Sequence, residues 1–240
     1  MITRNPPIQI ENQLRKEALY GCIICGCPVL VYVDIIQQDK EVFIPENMVA
    51  LCPIHRNKYH DNDLKEDLLR NAKLSPYNKE HQLDAFTVHS SDITVNVGKC
   101  KFVNTPRILV VDDFDIITVK RNPEDNRFIL FDVNFFDSLN NLKAMLSENS
   151  WHSESADLDW IVRYEPRHLS IQKQSDTMLF DAKIDNEKEE ITIIVDGFHY
   201  NQSLIQISQN EILVDKEEIA QDLKGTSVKN YEAGIMFQTR

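Results

Sequence analysis

At 240 residues, 42% hydrophobic and 27% charged, the chain has the make-up of an ordinary globular protein, long enough for two domains. Its net charge of −12 is concentrated: residues 81–240 hold 16 Lys/Arg against 27 Asp/Glu, whereas residues 1–80 are nearly neutral with 10 against 11. An acidic body repels phosphate backbones, which excludes tight non-specific nucleic-acid binding by the whole chain and confines any DNA contact to the first third. No apolar run approaches the ~20 residues of a membrane-spanning helix. The opening MITRNPPIQIENQLRKE lacks the charged-then-apolar plan of a secretion signal, so a cytoplasmic protein without a membrane partner is expected.

In chain order, IENQLRKEALYGC places Ile10, Leu14, Ala18 and Leu19 on one face and predicts a helix ended by Gly21. The β-branched text from Val29 to Ile36 predicts a strand, followed by a polar turn QQDKE and then VFIPENMVALC, with a turn at Pro45-Glu46-Asn47. From Pro53 the pattern is helical in two pieces. Asp61-Asn62-Asp63 interrupts it and is expected to cap a second helix running through Leu64, Leu68, Leu69 and Ala72, with LSPYN closing the unit near residue 78.

Beyond that point the period changes from 3.6 to 2. DITVNVGKCKFV, RILVVDDFDIITVKR, RFILFDVNFFDS, IVRYEPRHLSIQ, MLFDAKID, EEITIIVDGFHY and SLIQISQNEILVD read as strands between Asn, Asp, Gly and Pro turns, and LNNLKAMLSEN reads as a short helix. The expected organisation is α+β: a zinc-binding domain over 1–80, then an acidic all-β domain over 81–240, sandwich or solenoid-like, serving interaction or oligomerisation. No fixed-period repeat is visible.

The cysteines carry the strongest local signal. Cys22, Cys25, Cys27 and Cys52 fall within 31 residues and Cys100 stands apart, a clustering that in a cytoplasmic chain points to metal rather than disulfides. Cys22 and Cys25 form one C-x2-C knuckle, and Cys52 with His55 forms a second with the same gap. Zinc takes four such ligands in a tetrahedron, and the 26 intervening residues suffice for a hairpin that folds back. Buried thiols are the plainer alternative. Cys27 lies too near Cys25 to ligate alongside it. A closed Cys3His site stabilises a fold and performs no chemistry.

LRKEALYGCIICGCPVLVY followed by IPENMVALCPIHR resembles the HNH endonuclease family in its zinc-stapled bacterial form, over residues 10 to about 78. The resemblance implies a ββα-metal core, in which a hairpin and a helix hold a hydrolytic divalent metal, Mg²⁺ or Mn²⁺. Within that pattern the family's first His, the general base, falls on Asp34 in VYVDII. The loop Asn is present as Asn47, and the last His, a ligand of the catalytic metal, falls on Arg56 in CPIHRN. An exposed carboxylate is a weak base at neutral pH, although Asp34 could ligate a hard cation. A guanidinium offers no lone pair and puts fixed positive charge where the cation should sit, so an Arg56–Asp34 ion pair is expected instead.

His60, four residues past Arg56, could substitute if one helix carries both. Alternatively His55 could turn to catalysis and leave zinc to the cysteines, Cys27 included. His81, His89, His152, His168 and His199 show no partner pattern. Arg15, Lys16, Arg56, Lys58, Lys65, Arg70 and Lys73 could form a modest phosphate-contacting face, and VVDDFD (Asp112, Asp113, Asp115) reads as a charged turn or sheet edge.

Three functions follow. The first is an HNH-like module that has lost hydrolysis and serves as a binding or regulatory subunit, its β-rich domain meeting a protein partner or a second copy. By resemblance its setting is bacterial anti-phage defence. The second is an active metal-dependent DNA endonuclease with a rearranged centre using Asp34, Asn47 and His55 or His60. The third is a zinc-stabilised scaffold without nuclease ancestry.

Overall fold

The structure is a computed structural model that describes residues 6–36, 42–153, 160–173, 178–215, 217–218 and 227–239; the expected QQDKE turn lies outside them. The chain divides into two units. One comprises the described residues up to Ala85 together with Asn149–His152, and the other Phe86–Glu148 and the described residues from Ser153 onward. The insertion of four residues from far down the chain into the first unit has no counterpart in the sequence reading.

The first unit opens with helix α1 (Ile8–Glu17), which buries Leu14 as its apolar spacing dictates, with its C-cap Ala18 also buried. The helix stops at Glu17 rather than at Gly21, because Leu19 and Tyr20 turn left-handed (φ 51° and 57°) and Tyr20 N–H reaches back to the Arg15 carbonyl at 2.8 Å. Gly21 serves close packing instead: a Cβ there would meet the Asn78 amide at 2.5 Å and the Gly26 carbonyl at 2.6 Å. Strands β1 (Val31–Asp34) and β2 (Met48–Leu51) pair antiparallel, Val31 opposite Leu51 and Asp34 opposite Met48. A 3-10 turn over Pro45–Asn47 leads into β2.

Helix α2 (Pro53–His60) begins with Pro at its first position, where no donor is lost, and packs on both β1 and β2. Asn62 (φ 63°) breaks the helical run. Helix α3 (Glu66–Leu74) is capped at Lys65 without a side-chain bond, not at Asp61–Asp63 as expected, and it buries Leu69 fully.

The second unit is almost entirely β. Its strands are β3 (Thr94–Val97), β4 (Cys100–Val103), β5 (Arg107–Val111), β6 (Phe114–Arg121), β7 (Ile129–Phe136) and β8 (Leu142–Ser147). After β9 (Ser150–Ser153), whose first three residues belong to the first unit, come β10 (Trp160–Glu165), β11 (His168–Lys173), β12 (Met178–Ile184), β13 (Ile191–Tyr200) and β14 (Ser203–Ile207). Short strands β15 (Ile212–Val214), β16 (Glu217–Glu218), β17 (Ser227–Lys229) and β18 (Ala233–Phe237) follow among the described residues.

Two antiparallel meanders, β5 to β8 and β10 to β15, meet where His199 of β13 pairs with Phe136 of β7. Strands β17 and β18 return parallel to β4 and β5. Alternation sets which side of each strand is buried: in β14, Ser203, Ile205 and Ile207 are buried while Leu204 and Gln206 between them are not.

LNNLKAMLSEN corrects the helical expectation. Leu142–Ser147 is a strand on β7, with Ala144 and Leu146 buried at period 2, and Leu139, which a helix would have buried, is 80% exposed. Asp137 decides the outcome, since its carboxylate accepts from the backbone N–H of Leu139 and of Asn141 at 2.9 Å each and closes a turn. No helix among the described residues is long and apolar enough to cross a membrane.

Candidate metal centre

The first knuckle is shaped by backbone bonds before any metal is considered. Cys22 N–H donates to the Cys27 carbonyl at 2.8 Å, Gly26 N–H donates to the Cys22 carbonyl at 2.8 Å, and Gly26 takes φ +73°, where a side chain would be strained. Ile23 N–H, donating to the Ala50 carbonyl at 3.1 Å, fastens the knuckle to β2. The second knuckle sits where β2 passes into α2, with Cys52 as the helix N-cap and His55 in the first turn.

These four side chains converge. The ligand atoms of Cys22, Cys25, Cys52 and His55 all lie within 4.8 Å of one another. Cys25 Sγ is 3.9 Å from Cys52 Sγ, and His55 Nδ1 is 3.5 Å from Cys22 Sγ and 3.3 Å from Cys52 Sγ. Tetrahedral zinc with bonds of ~2.3 Å to sulfur and ~2.0 Å to nitrogen would separate two sulfurs by ~3.8 Å and sulfur from nitrogen by ~3.5 Å. The group could therefore hold a metal such as zinc.

The electrostatics of the cluster point the same way. Burial, and then hydrogen bonds shared with Cys25 and Cys52, push the Cys22 thiol up. Hydrogen bonds from Cys22 and Cys52 hold Cys25 far below an ordinary thiol. The hydrogen bond with Cys22 lowers Cys52, but those shared with Cys25 and Cys27, together with burial, outweigh it and leave that thiol raised. A dication binds cysteine as thiolate, so a metal held here would draw all three off their protons. Cys27 is buried beside the four and outside the converging set. All five cysteines are free of disulfides, and Cys100 is buried on β4.

The positions singled out for hydrolysis have other occupations. Asn47, buried, spends its amide on the backbone, with Oδ1 accepting from Ile36 N–H at 3.2 Å and Nδ2 donating to the Ile36 carbonyl at 2.7 Å. Asp34 ends β1 half-buried, and its charge helps raise the phenol of Tyr59, after burial and Glu66. Tyr59 itself donates to the Ile35 carbonyl. Arg56 is 7% exposed on α2, directly after His55, and burial lowers its pKa. His60 shares that helix; burial first, and then the Arg56 charge, lower its pKa and favour the neutral imidazole.

The expected basic face shrinks. Lys73 donates to the carbonyls of Pro45 and Met48 at 2.6 Å each and pairs with Glu17 at 2.8 Å, and Arg15 is buried in a polar cluster, leaving Lys16, Lys58, Lys65 and Arg70 exposed.

Elsewhere, Asp112 and Asp113 (φ 49° and 63°) form the two-residue turn between β5 and β6. Asp112 accepts from Thr239 and Asn201, and Asp115 pairs with Arg107 at 2.6 Å. His168 has a partner invisible in its local sequence, Asp181 on the neighbouring strand at 2.6 Å. His81 stacks on Tyr77, His89 is exposed, His152 is half-buried, and His199 lines a cavity with Phe136 and Lys173.

Sequence reasoning missed the cluster around Arg15, which joins Glu11, Tyr32 and Ser150. A charged residue on the buried face of α1 was its only local signal. Compared with protein-family models, curated proteins and solved structures, the chain matches none.

Proposed function

We propose that the first unit is a zinc-stapled, HNH-like module that has lost its hydrolytic centre, and that the protein works as a non-catalytic binding or regulatory subunit. The observation that carries this reading is Arg56, which is 7% exposed and held on α2 beside the Cys3His group. A guanidinium stays protonated at neutral pH and has no lone pair, so it repels the Mg²⁺ or Mn²⁺ that phosphodiester hydrolysis would need at that position. The engagement of Asn47 by backbone supports the same reading. In this proposal zinc is structural, Arg56 offsets Asp34, and the acidic second unit meets a protein partner. An anti-phage setting rests on the family resemblance alone.

One observation favours the alternative of an active endonuclease. His60, with its lowered pKa, offers a neutral imidazole on the same helix as Arg56, available as base or ligand. Supercoiled plasmid incubated with the zinc-loaded protein and Mg²⁺ or Mn²⁺ separates the two readings. No nicking is expected. Nicking that disappears in His60→Ala would establish the enzyme.

A further inference from the structure

We propose that the Asn149–His152 segment is a latch on the metal unit, and that Ser150 is the positioning residue coupling its seating to retention of the metal. The inference rests on the zinc reading above.

The latch closes on a buried ion pair whose two charges share one hydroxyl. Glu11 and Arg15, one turn apart on α1, are 6% and 5% exposed and lie 3.3 Å apart. Ser150, 2% exposed, enters between them: its hydroxyl accepts from Arg15 Nη2 at 2.6 Å and donates to Glu11 Oε2 at 3.1 Å. Tyr32 of β1 accepts from Arg15 Nε at 2.8 Å and lies 3.1 Å from the same hydroxyl. Hydrogen bonds to buried charges are among the stronger ones, so withdrawing Ser150 costs one such bond at each of Arg15 and Glu11.

The backbone carries the link onward to the knuckle. Leu30 N–H donates to the Asn149 carbonyl at 2.8 Å, and Trp151 N–H donates to the Leu30 carbonyl at 2.7 Å. Leu30 stands three residues after Cys27, whose carbonyl holds Cys22 N–H, and directly before β1. Seating of the segment and closure of the metal site therefore share one stretch of chain. By linkage the coupling runs both ways.

The test uses the full chain loaded with zinc. Ser150→Ala is expected to release zinc to a chromophoric chelator about ten- to a hundredfold faster, the range for a lost hydrogen bond to a buried charge. Tyr32→Phe should shift release in the same direction by less. Removing zinc should speed hydrogen exchange at the Trp151 amide of the unaltered protein, and in Ser150→Ala that amide should exchange fast even with zinc bound, which a merely space-filling Ser150 would not produce. Wild-type release from Ser150→Ala, or Trp151 exchange indifferent to zinc, overturns the latch. Should the protein bind no zinc, the metal reading fails separately. The latch is then read from thiol labelling of the buried Cys22 and Cys52, which Ser150→Ala must accelerate and which, if unchanged, refutes it.

Discussion

Asn47 and Ile36 are joined by two hydrogen bonds, Oδ1 to the Ile36 N–H at 3.2 Å and Nδ2 to its carbonyl at 2.7 Å. The side chain thus continues the β1–β2 ladder for one more residue pair. Asn47→Ala is expected to cost about 1–3 kcal/mol, because it strips two backbone groups of their partner. Amide exchange at Ile36 measures this site by site, which suits a chain of two units better than one global transition. Asn47→Asp, able to accept but not donate, should fall between. If Asn47 instead served an ion, both variants would leave Ile36 exchange unchanged.

The thiol cluster makes a prediction in protons. Burial and shared hydrogen bonds raise Cys22 and Cys52, which favours their thiol forms before a metal arrives. Zinc requires all three deprotonated, so binding should release about two protons. Calorimetric titration in two buffers of different ionisation enthalpy reads that number. The sign follows: acid restores the thiols and expels the metal, while mild alkali tightens it.

Arg56 can be tested without catalysis. Arg56→His exchanges a fixed cation for a neutral donor on the same turn of α2, and should raise the affinity for Mn²⁺ at least about tenfold. Paramagnetic broadening of amide signals from β1 and α2 would report it. An Arg56→His protein as indifferent to Mn²⁺ as the parent would place the obstacle elsewhere.

Asp137 supplies a pH test in the second unit. Hydrogen bonds from Asn141, the backbone N–H above all, hold its carboxyl down at about 2. A depressed carboxylate stabilises the turn above the ordinary pKa near 3.8, and that contribution is lost as the pH falls through about 2. An NMR titration of Asp137 should show its midpoint near 2, and Asp137→Asn should remove the acid sensitivity of the Leu139 and Asn141 amides. A midpoint near 3.8 would contradict the geometry.

What could be read in advance was what is written locally. The four converging ligands announce themselves because each pair has just two residues between its members, and the strands show their period of two within single segments. LNNLKAMLSEN misleads because leucines at 139, 142 and 146 fit a helix as well as they fit Asp137 starting a turn and a strand. Arg15 looked like a surface charge because its partner Ser150 is 135 residues away. His168 meets Asp181 on a diagonal across the β11–β12 pair, where register sets Lys183 opposite the histidine, and no spacing rule encodes that. Lys73 gives no sign in its own neighbourhood that two carbonyls near Asn47 await it.

The interrupted make-up of the first unit also has a consequence for biosynthesis. A nascent chain that has emerged as far as Ala85 already carries every candidate ligand, yet Leu30 and Arg15 still wait for residues that the ribosome supplies only after the whole β5–β8 meander has been made. Vectorial synthesis ordinarily favours completing the N-terminal part first. Here that completion is delayed until Asn149–His152 has been made, and what the amino terminus begins must be finished from the middle of the message.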